Sequence, residues 1–221
     1  MSLELKTTYD KTAMKIFQRV IHAKSETRDI ALWGTCMGFQ LLHVLAANDL
    51  SVLTHSAFDS ECVAWPLNLA AQGESRMWAA APANVLAILG TRNVTVNLHH
   101  DGITPETYRK TPQLSSIFRV LSTNEDRKGK EFISTVEAKD ALIYGTQWHP
   151  ERPQFEWSLE EGIPHDRLAV QANSWPATFF VDEARQANHT FQNATFESAS
   201  LIYKYPLVSP YGDSYGWYVF P

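Results

Sequence analysis

Gly34-Thr35-Cys36-Met37-Gly38 follows directly on the apolar run Ile30-Ala31-Leu32-Trp33 and leads into a helical apolar run from Phe39 to Ala47. That order constrains the fold more than any other feature of the chain. A buried strand must pass into a helix through one sharp turn, and flanking glycines remove Cβ clashes that would otherwise oppose it. The pattern has the form of a nucleophile elbow with cysteine at its apex. Cys36 would stand above the end of a sheet at the start of a helix, where the dipole and the first amides favour negative charge. The Met37 amide would be left to donate to an oxyanion. Taken alone, the pentapeptide also fits a buried cysteine in a glycine-rich strand end.

The rest of the chain alternates helix and strand signals. Tyr9, Ala13, Ile16, Phe17, Val20 and Ile21 recur at helical spacing, predicting an amphipathic helix over Tyr9–Ala23, with a polar turn at Ser25–Asp29. Strands are expected at Val94–His99, Ile117–Ser122, Glu131–Val136 and Leu142–Trp148. Helices are expected at Pro82–Leu89 and, despite Pro176, over Asp166–Phe191. The aromatic tail, Leu201–Tyr205 and Trp217–Phe220, is expected to pack back as edge strands. Strands mixed with helices imply a layered α/β architecture.

With 221 residues, 44% of them hydrophobic and 19% charged, the chain fits a single domain over 1–221. A formal charge of −5 with no concentration of Lys and Arg argues against a nucleic-acid or anionic-membrane surface. The longest apolar runs, such as Val85–Leu89, fall far short of the roughly 20 residues that span a bilayer. Met1–Lys6 lacks the basic-then-apolar pattern of a secretory signal. Cys36 and Cys62 allow one disulfide at most, so no disulfide framework supports the fold; Cys62, with no motif around it, reads as a small buried filler. Three acceptor triplets for N-glycosylation, at Asn93, Asn188 and Asn193, point toward a lumenal protein.

A thiol nucleophile needs a base, and Gln147-Trp148-His149-Pro150-Glu151 offers one. His149, just past an apolar strand, can face the Cys36 turn across the C-terminal edge of a sheet. Glu151 can accept from the far imidazole nitrogen and fix its tautomer. Without the cysteine motif, His149 would equally read as a histidine capping a loop. The neighbouring His99-His100 pair has no further ligand at suitable spacing, so no metal is expected.

Together these motifs resemble the class I glutamine amidotransferase-like superfamily, and more closely the gamma-glutamyl hydrolase family. The likeness is carried by Trp33-Gly34-Thr35-Cys36-Met37-Gly38-Phe39-Gln40, Ser75-Arg76-Met77, Tyr144-Gly145-Thr146-Gln147-Trp148-His149-Pro150-Glu151 and Phe179-Phe180-Val181-Asp182-Glu183, and extends from about Tyr9 to Phe220. It implies a three-layer αβα fold with a central, mostly parallel sheet. It also implies Cys36 as nucleophile, His149 as general base and acid, Glu151 as orienting carboxylate and the Met37 amide as oxyanion donor. His99 and Arg76 would be substrate-binding residues, Arg76 as a carboxylate partner, although a surface ion pair fits that arginine as well. The implied substrate is a small molecule, a folylpoly-γ-glutamate, cleaved through a thioester without any cofactor. A lysosomal, vacuolar or extracellular location and a homodimer are compatible with the resemblance.

Members of that family carry a longer segment ahead of the first helix, with a signal peptide, the opening strands and a Pro-Gly-Gly-type loop that supplies a second oxyanion amide. Only about thirty residues precede the Cys36 strand here. The expectation is therefore a domain incomplete at its N-terminus, with a sheet lacking its opening strands and a weakened oxyanion hole. Two alternatives share the motifs: a shortened, non-catalytic relative acting as a subunit or binding module, and a glutaminase-type amidotransferase domain acting on free glutamine.

Overall fold

Thr7 and Asp10 cap each other's backbone amides, Asp10 N–H to Thr7 Oγ1 at 3.1 Å and Thr7 N–H to Asp10 Oδ2 at 3.2 Å. This reciprocal capping starts helix α1, Thr8–Thr27. The structure, a computed structural model, describes residues 7–27, 30–70, 73–158, 160–208 and 216–220. The Met1–Lys6 signal reading lies outside them. So does part of the Ser25–Asp29 turn, into which α1 runs as far as Thr27.

Strand β1 (Leu32–Thr35) is followed by α2 (Met37–Ala47), then β2 (Ser60–Trp65), β3 (Asn68–Leu69), α3 (Arg76–Ala80) and α4 (Ala83–Thr91). Next come β4 (Thr95–His99), α5 (Pro105–Lys110), α6 (Pro112–Ile117), β5 (Phe118–Glu125), β6 (Glu131–Ala138) and β7 (Ile143–Thr146). A short α7 (Arg152–Phe155) and the long α8 (Arg167–Ala184) close this part of the molecule. The single domain expected over 1–221 divides into two compact units, 1–187 and 188–221.

In the first unit the main sheet has the strand order β1-β7-β6-β5-β3. β1 and β7 are parallel, with Leu32 beside Ile143 and Thr35 beside Thr146. The other three pairings are antiparallel. Short links explain β5–β6 and β6–β7: β5 returns into β6 through a turn where Gly129 has φ 76° and Asp126 Oδ1 accepts from the Lys128 and Lys130 amides. The parallel character expected from the resemblance therefore resides, among the described strands, in β1–β7. β2 and β4 form a separate antiparallel pair.

Alternation along the strands sends side chains to two cores. Ile143, Ile133 and Phe118 join Phe17 and Val20 of α1 and Phe39, Leu42 and Val44 of α2 on one face. Tyr144 and Leu121 join Met77, Trp78, Leu89 and the α8 residues Ala169, Ala172 and Phe179 on the other. Helices thus cover both faces of one sheet, which is the three-layer α/β arrangement. Each large side chain buried this way contributes about 1.5–3 kcal/mol. Trp78 and Trp148, both fully buried, keep their indole N–H groups satisfied on the Leu121 carbonyl and on Thr135 Oγ1.

Several boundaries differ from expectation. β1 starts two residues late and runs through Gly34 to Thr35, because Gly34 lies beside Gly145 across the parallel pair and the turn is confined to Cys36. α8 begins at an Asp166 cap that accepts from the Leu168 and Ala169 amides and ends at Ala184, not Phe191. In the second unit, α9 (Ala194–Ser200) is capped by Asn193, and Leu201–Tyr205 holds a 3-10 turn rather than a strand. The expected edge strands are a two-stranded ribbon of their own, β8 (Leu207–Val208) with β9 (Trp217–Tyr218).

Candidate active site

Cys36 has φ 52° and ψ −108°. A side chain with a Cβ is costly there, and the conformation survives because its surroundings enforce it. The Cys36 amide donates to the Thr146 carbonyl at 2.8 Å, and the Cys36 carbonyl accepts from Gln40 N–H at 3.0 Å. Gly34 is required in the strict sense: a Cβ there would lie 2.6 Å from the Gly38 carbonyl oxygen and 2.8 Å from Leu42 Cδ1. Gly38 is different, since a Cβ there would meet nothing within 4 Å. Only one of the two flanking glycines answers to steric need. Met37 is the first residue of α2, and its amide has no acceptor within the helix.

His149 enters from just past β7, its amide tied to the Val96 carbonyl at 2.8 Å. Its Nδ1 is 2.6 Å from Glu151 Oε1, so with the proton on Nδ1 it donates to the carboxylate. Burial by itself would lower the imidazole pKa. Hydrogen bonds to Cys36 and Glu151, and their charges, outweigh burial and raise it to about 9. Burial likewise pushes Glu151 up, but the bond from His149 and its charge hold the carboxyl below its ordinary value. Sulfur, imidazole and carboxylate form one connected chain.

The cleft in front of Cys36 has a volume of about 610 Å³, and Met37, Gln40, His55, Ser56 and His99 line it. His99 is buried, with Nδ1 2.8 Å from the Asp101 carbonyl and Nε2 3.3 Å from Asn97 Oδ1. Burial lowers its pKa to about 4, so it is a neutral ring at the cleft wall. Its neighbour His100 is largely exposed and faces Phe58 and Glu61 instead. Arg76 is not brought to the cleft. Its guanidinium donates to the Ala138, Lys139 and Ala141 carbonyls and to Tyr144 Oη, at the end of β7 opposite His149. Cys62 is half-buried with φ 54° at the β2 bulge, more exposed than a core filler.

Three residues that carry no role in the sequence reading complete the site. Gln40 donates through Nε2 to the Asp101 carbonyl at 3.0 Å and to Gln147 Oε1 at 3.2 Å. Gln147 in turn points Nε2 at Cys36 Sγ, 3.7 Å away. Asp101 also accepts, through its carboxylate, from Ser56 N–H and His55 Nδ1. Both glutamines stand inside the two motifs, but nothing in their spacing announces that they meet.

Fold and site together define a class: layered α/β proteins with a cysteine at a strand-to-helix elbow and a histidine–carboxylate pair on the adjoining parallel strand. Within it, the chain belongs to the peptidase C26 family, whose model matches residues 4–151. It is 36% identical over 198 residues to gamma-glutamyl hydrolase B of Dictyostelium discoideum, covering 89% of this chain and 56% of that protein. With the gamma-glutamyl hydrolase of Homo sapiens it shares 35% over 201 residues, 90% of this chain and 62% of the relative. With gamma-glutamyl hydrolase 1 of Arabidopsis thaliana it shares 32% over 202 residues, 90% and 57%. The chain therefore spans less than two thirds of the length of these curated relatives.

Proposed function

We propose that this protein is a cysteine-dependent hydrolase of γ-glutamyl bonds, acting on folylpoly-γ-glutamates through a thioester. The observation that carries this reading is geometric: His149 Nδ1 lies 2.6 Å from the Glu151 carboxylate, beside Cys36 held at the head of α2. The Cys36 thiolate attacks the γ-carboxamide carbon, and the carbonyl electron pair moves onto oxygen beside the Met37 amide. Collapse of the tetrahedral intermediate breaks the C–N bond, and His149 gives its proton to the departing amine. The neutral imidazole then takes a proton from water, hydroxide adds to the thioester carbon, and the thiolate leaves with the γ-carboxylate product. Glu151 keeps the ring oriented through both halves.

The C26 family membership and the names of the relatives support the bond that is cut. His99, neutral at the cleft wall, suits a role in holding an uncharged carbonyl or amide of the substrate. The same reading takes in a lysosomal, vacuolar or extracellular location, for which the exposed Asn93, Asn188 and Asn193 offer glycosylation sites, and self-association as a homodimer. No helix among the described residues is long and apolar enough to cross a membrane.

The test is glutamate release from a pteroyl di- or tri-γ-glutamate by the purified protein and by Cys36→Ala. Release that falls by at least about 10⁴-fold in the variant is expected, as for loss of a covalent nucleophile. Equal turnover by the two proteins would overturn the proposal. Ammonia release from free glutamine, measured alongside, would favour the glutaminase alternative.

A further inference from the structure

The geometry points to Gln147 as a further catalytic residue, a side-chain amide that donates to the Cys36 sulfur and holds it as an anion aligned for attack. The inference rests on the proposed thiol chemistry at Cys36. It concerns a residue that the triad leaves out.

The argument turns on which way two amides point. The Asp101 carbonyl can only accept, so the Gln40 group 3.0 Å from it must be the NH₂ end. The same NH₂ lies 3.2 Å from Gln147, which must therefore present its oxygen to Gln40. Gln147 is left with its NH₂ toward Cys36 Sγ at 3.7 Å. Turning either amide around would set oxygen against oxygen or NH₂ against NH₂. A donor aimed at sulfur is thus dictated by one main-chain carbonyl two links away.

Burial gives the contact its weight. Gln147 is fully buried and Gln40 nearly so, with relative exposures of 0% and 6%, so neither amide exchanges its partners readily for water. Main-chain bonds fix the frame: Gln147 N–H donates to the Ser134 carbonyl, and Cys36 N–H to that of Thr146. The sulfur then has two neighbours from the one segment that follows β7, the His149 ring and the Gln147 amide. When the imidazolium gives its proton to the leaving amine, the Gln147 donor stays in place, so the sulfur is still solvated when it departs from the thioester.

The experiment reads the sulfur directly, by the rate of alkylation with iodoacetamide followed by intact mass, from pH 5 to 10. Alkylation joins sulfur to the acetamide carbon and releases iodide. A Cys62→Ser parent leaves Cys36 as the one cysteine. The titratable groups around it, His149, His99 and the His55–Asp101 pair, are the same in parent and variants. For Gln147→Met the rate at pH 6 should fall about tenfold, the scale of a hydrogen bond to a charged group. At pH 10 the two proteins should agree within about threefold. Gln147→Glu should lose more at pH 6, because a carboxylate faces the thiolate.

A purely structural Gln147 would lower the melting temperature and leave the alkylation profile unchanged; a folded Gln147→Met with the parent's profile overturns the inference. If that variant does not fold, Gln40→Met removes the orienting link, and a smaller loss at pH 6 is expected in place of no change. In the parent itself, the Gln147 side-chain amide resonances should move as the sulfur titrates and stop doing so in Cys36→Ala. Resonances that ignore the sulfur overturn the inference without any change at Gln147 or Gln40. None of these readouts uses a γ-glutamyl substrate, so failure of the hydrolase reading and failure of the Gln147 role appear separately.

Discussion

The Cys36 amide donates to the Thr146 carbonyl at 2.8 Å, so the nucleophile and the histidine three residues beyond Thr146 are joined through main chain before their side chains meet. Parallel pairing of β1 and β7 in the register Thr35 beside Thr146 is what makes this bond available. The chemistry depends on that register. A shift of one residue would turn every side chain of the strand to the other face of the sheet.

Glu151→Gln keeps an acceptor beside His149 and removes the charge. The imidazole pKa should drop below its value of about 9, and kcat should fall by roughly 10²–10⁴-fold, the range seen when an orienting carboxylate is neutralised. In the unsubstituted protein, turnover should decline as pH rises through about 9, where His149 loses the proton owed to the leaving amine. The stability that His149 contributes follows the same limb, because its folded pKa lies above the unfolded 6.5. It is fully present below about 6.5 and lost as pH rises through about 9. A pH–rate profile of both proteins checks the shift; coincident alkaline limbs contradict it.

Acid should weaken the fold through two other histidines. His43 is fully buried between the Phe39 carbonyl at 2.7 Å and Tyr108 Oη at 2.6 Å, and burial lowers its pKa to about 4, as it does for His99. Unfolded, each takes up a proton near 6.5. Between pH 6.5 and 4 the unfolded chain therefore binds more protons, and stability falls as pH falls, by on the order of 3 kcal/mol per histidine at most. Below pH 4 these two add nothing further. Urea denaturation at pH 7 and pH 4.5 measures the drop, and His43→Gln should flatten the slope between them.

Arg76 belongs to the scaffold, and its substitution should show it. Glu137, fully buried, accepts from Ser75 Oγ and from the Arg76 and Met77 amides, all at 3.0 Å, with the Arg76 and Arg119 guanidinium groups 3.8 and 3.7 Å away. Glu137→Ala leaves those donors and charges without their acceptor and should cost about 3–5 kcal/mol. Arg76→Ala should likewise lower the midpoint of chemical unfolding, with KM for a polyglutamate within about twofold of the parent's. A KM raised tenfold with unaltered stability would restore Arg76 to the substrate.

The two glycines at the elbow should respond in opposite ways. In Gly34→Ala the new methyl meets Gly38 backbone at 2.6 Å, so the helix must move and about 1–3 kcal/mol should be lost, together with most activity. Gly38→Ala enters open space on a helix and should be neutral or stabilising by up to about 1 kcal/mol. Thermal melts of the two variants decide the point.

Much of this was legible in the residues themselves. The elbow follows from glycines placed around Cys36, and the His149–Glu151 spacing already limits which carboxylate reaches the ring. The strand from Glu131 and the helix from Ala83 declare themselves by apolar run and periodicity. What escaped depends on distance along the chain. Gln147 meets Cys36 across 111 positions, through the pairing of β1 with β7, and Arg76 meets Ala141 across 65, through the seating of α3 beside the β6–β7 turn; neither follows from a local pattern. β3, two residues long, exists only because β5 offers it an edge. The tail differs from expectation because apolar content does not show which segments pair: Leu207–Val208 and Trp217–Tyr218 pair with each other, while Leu201–Tyr205 forms no strand.

Gly34 beside Gly145, with α2 packed so closely that no methyl fits at Gly34, sets the thiol's coordinates by contact of backbone with backbone. Where β1 meets α2, main chain alone thus decides how high the reactive sulfur stands over the sheet edge.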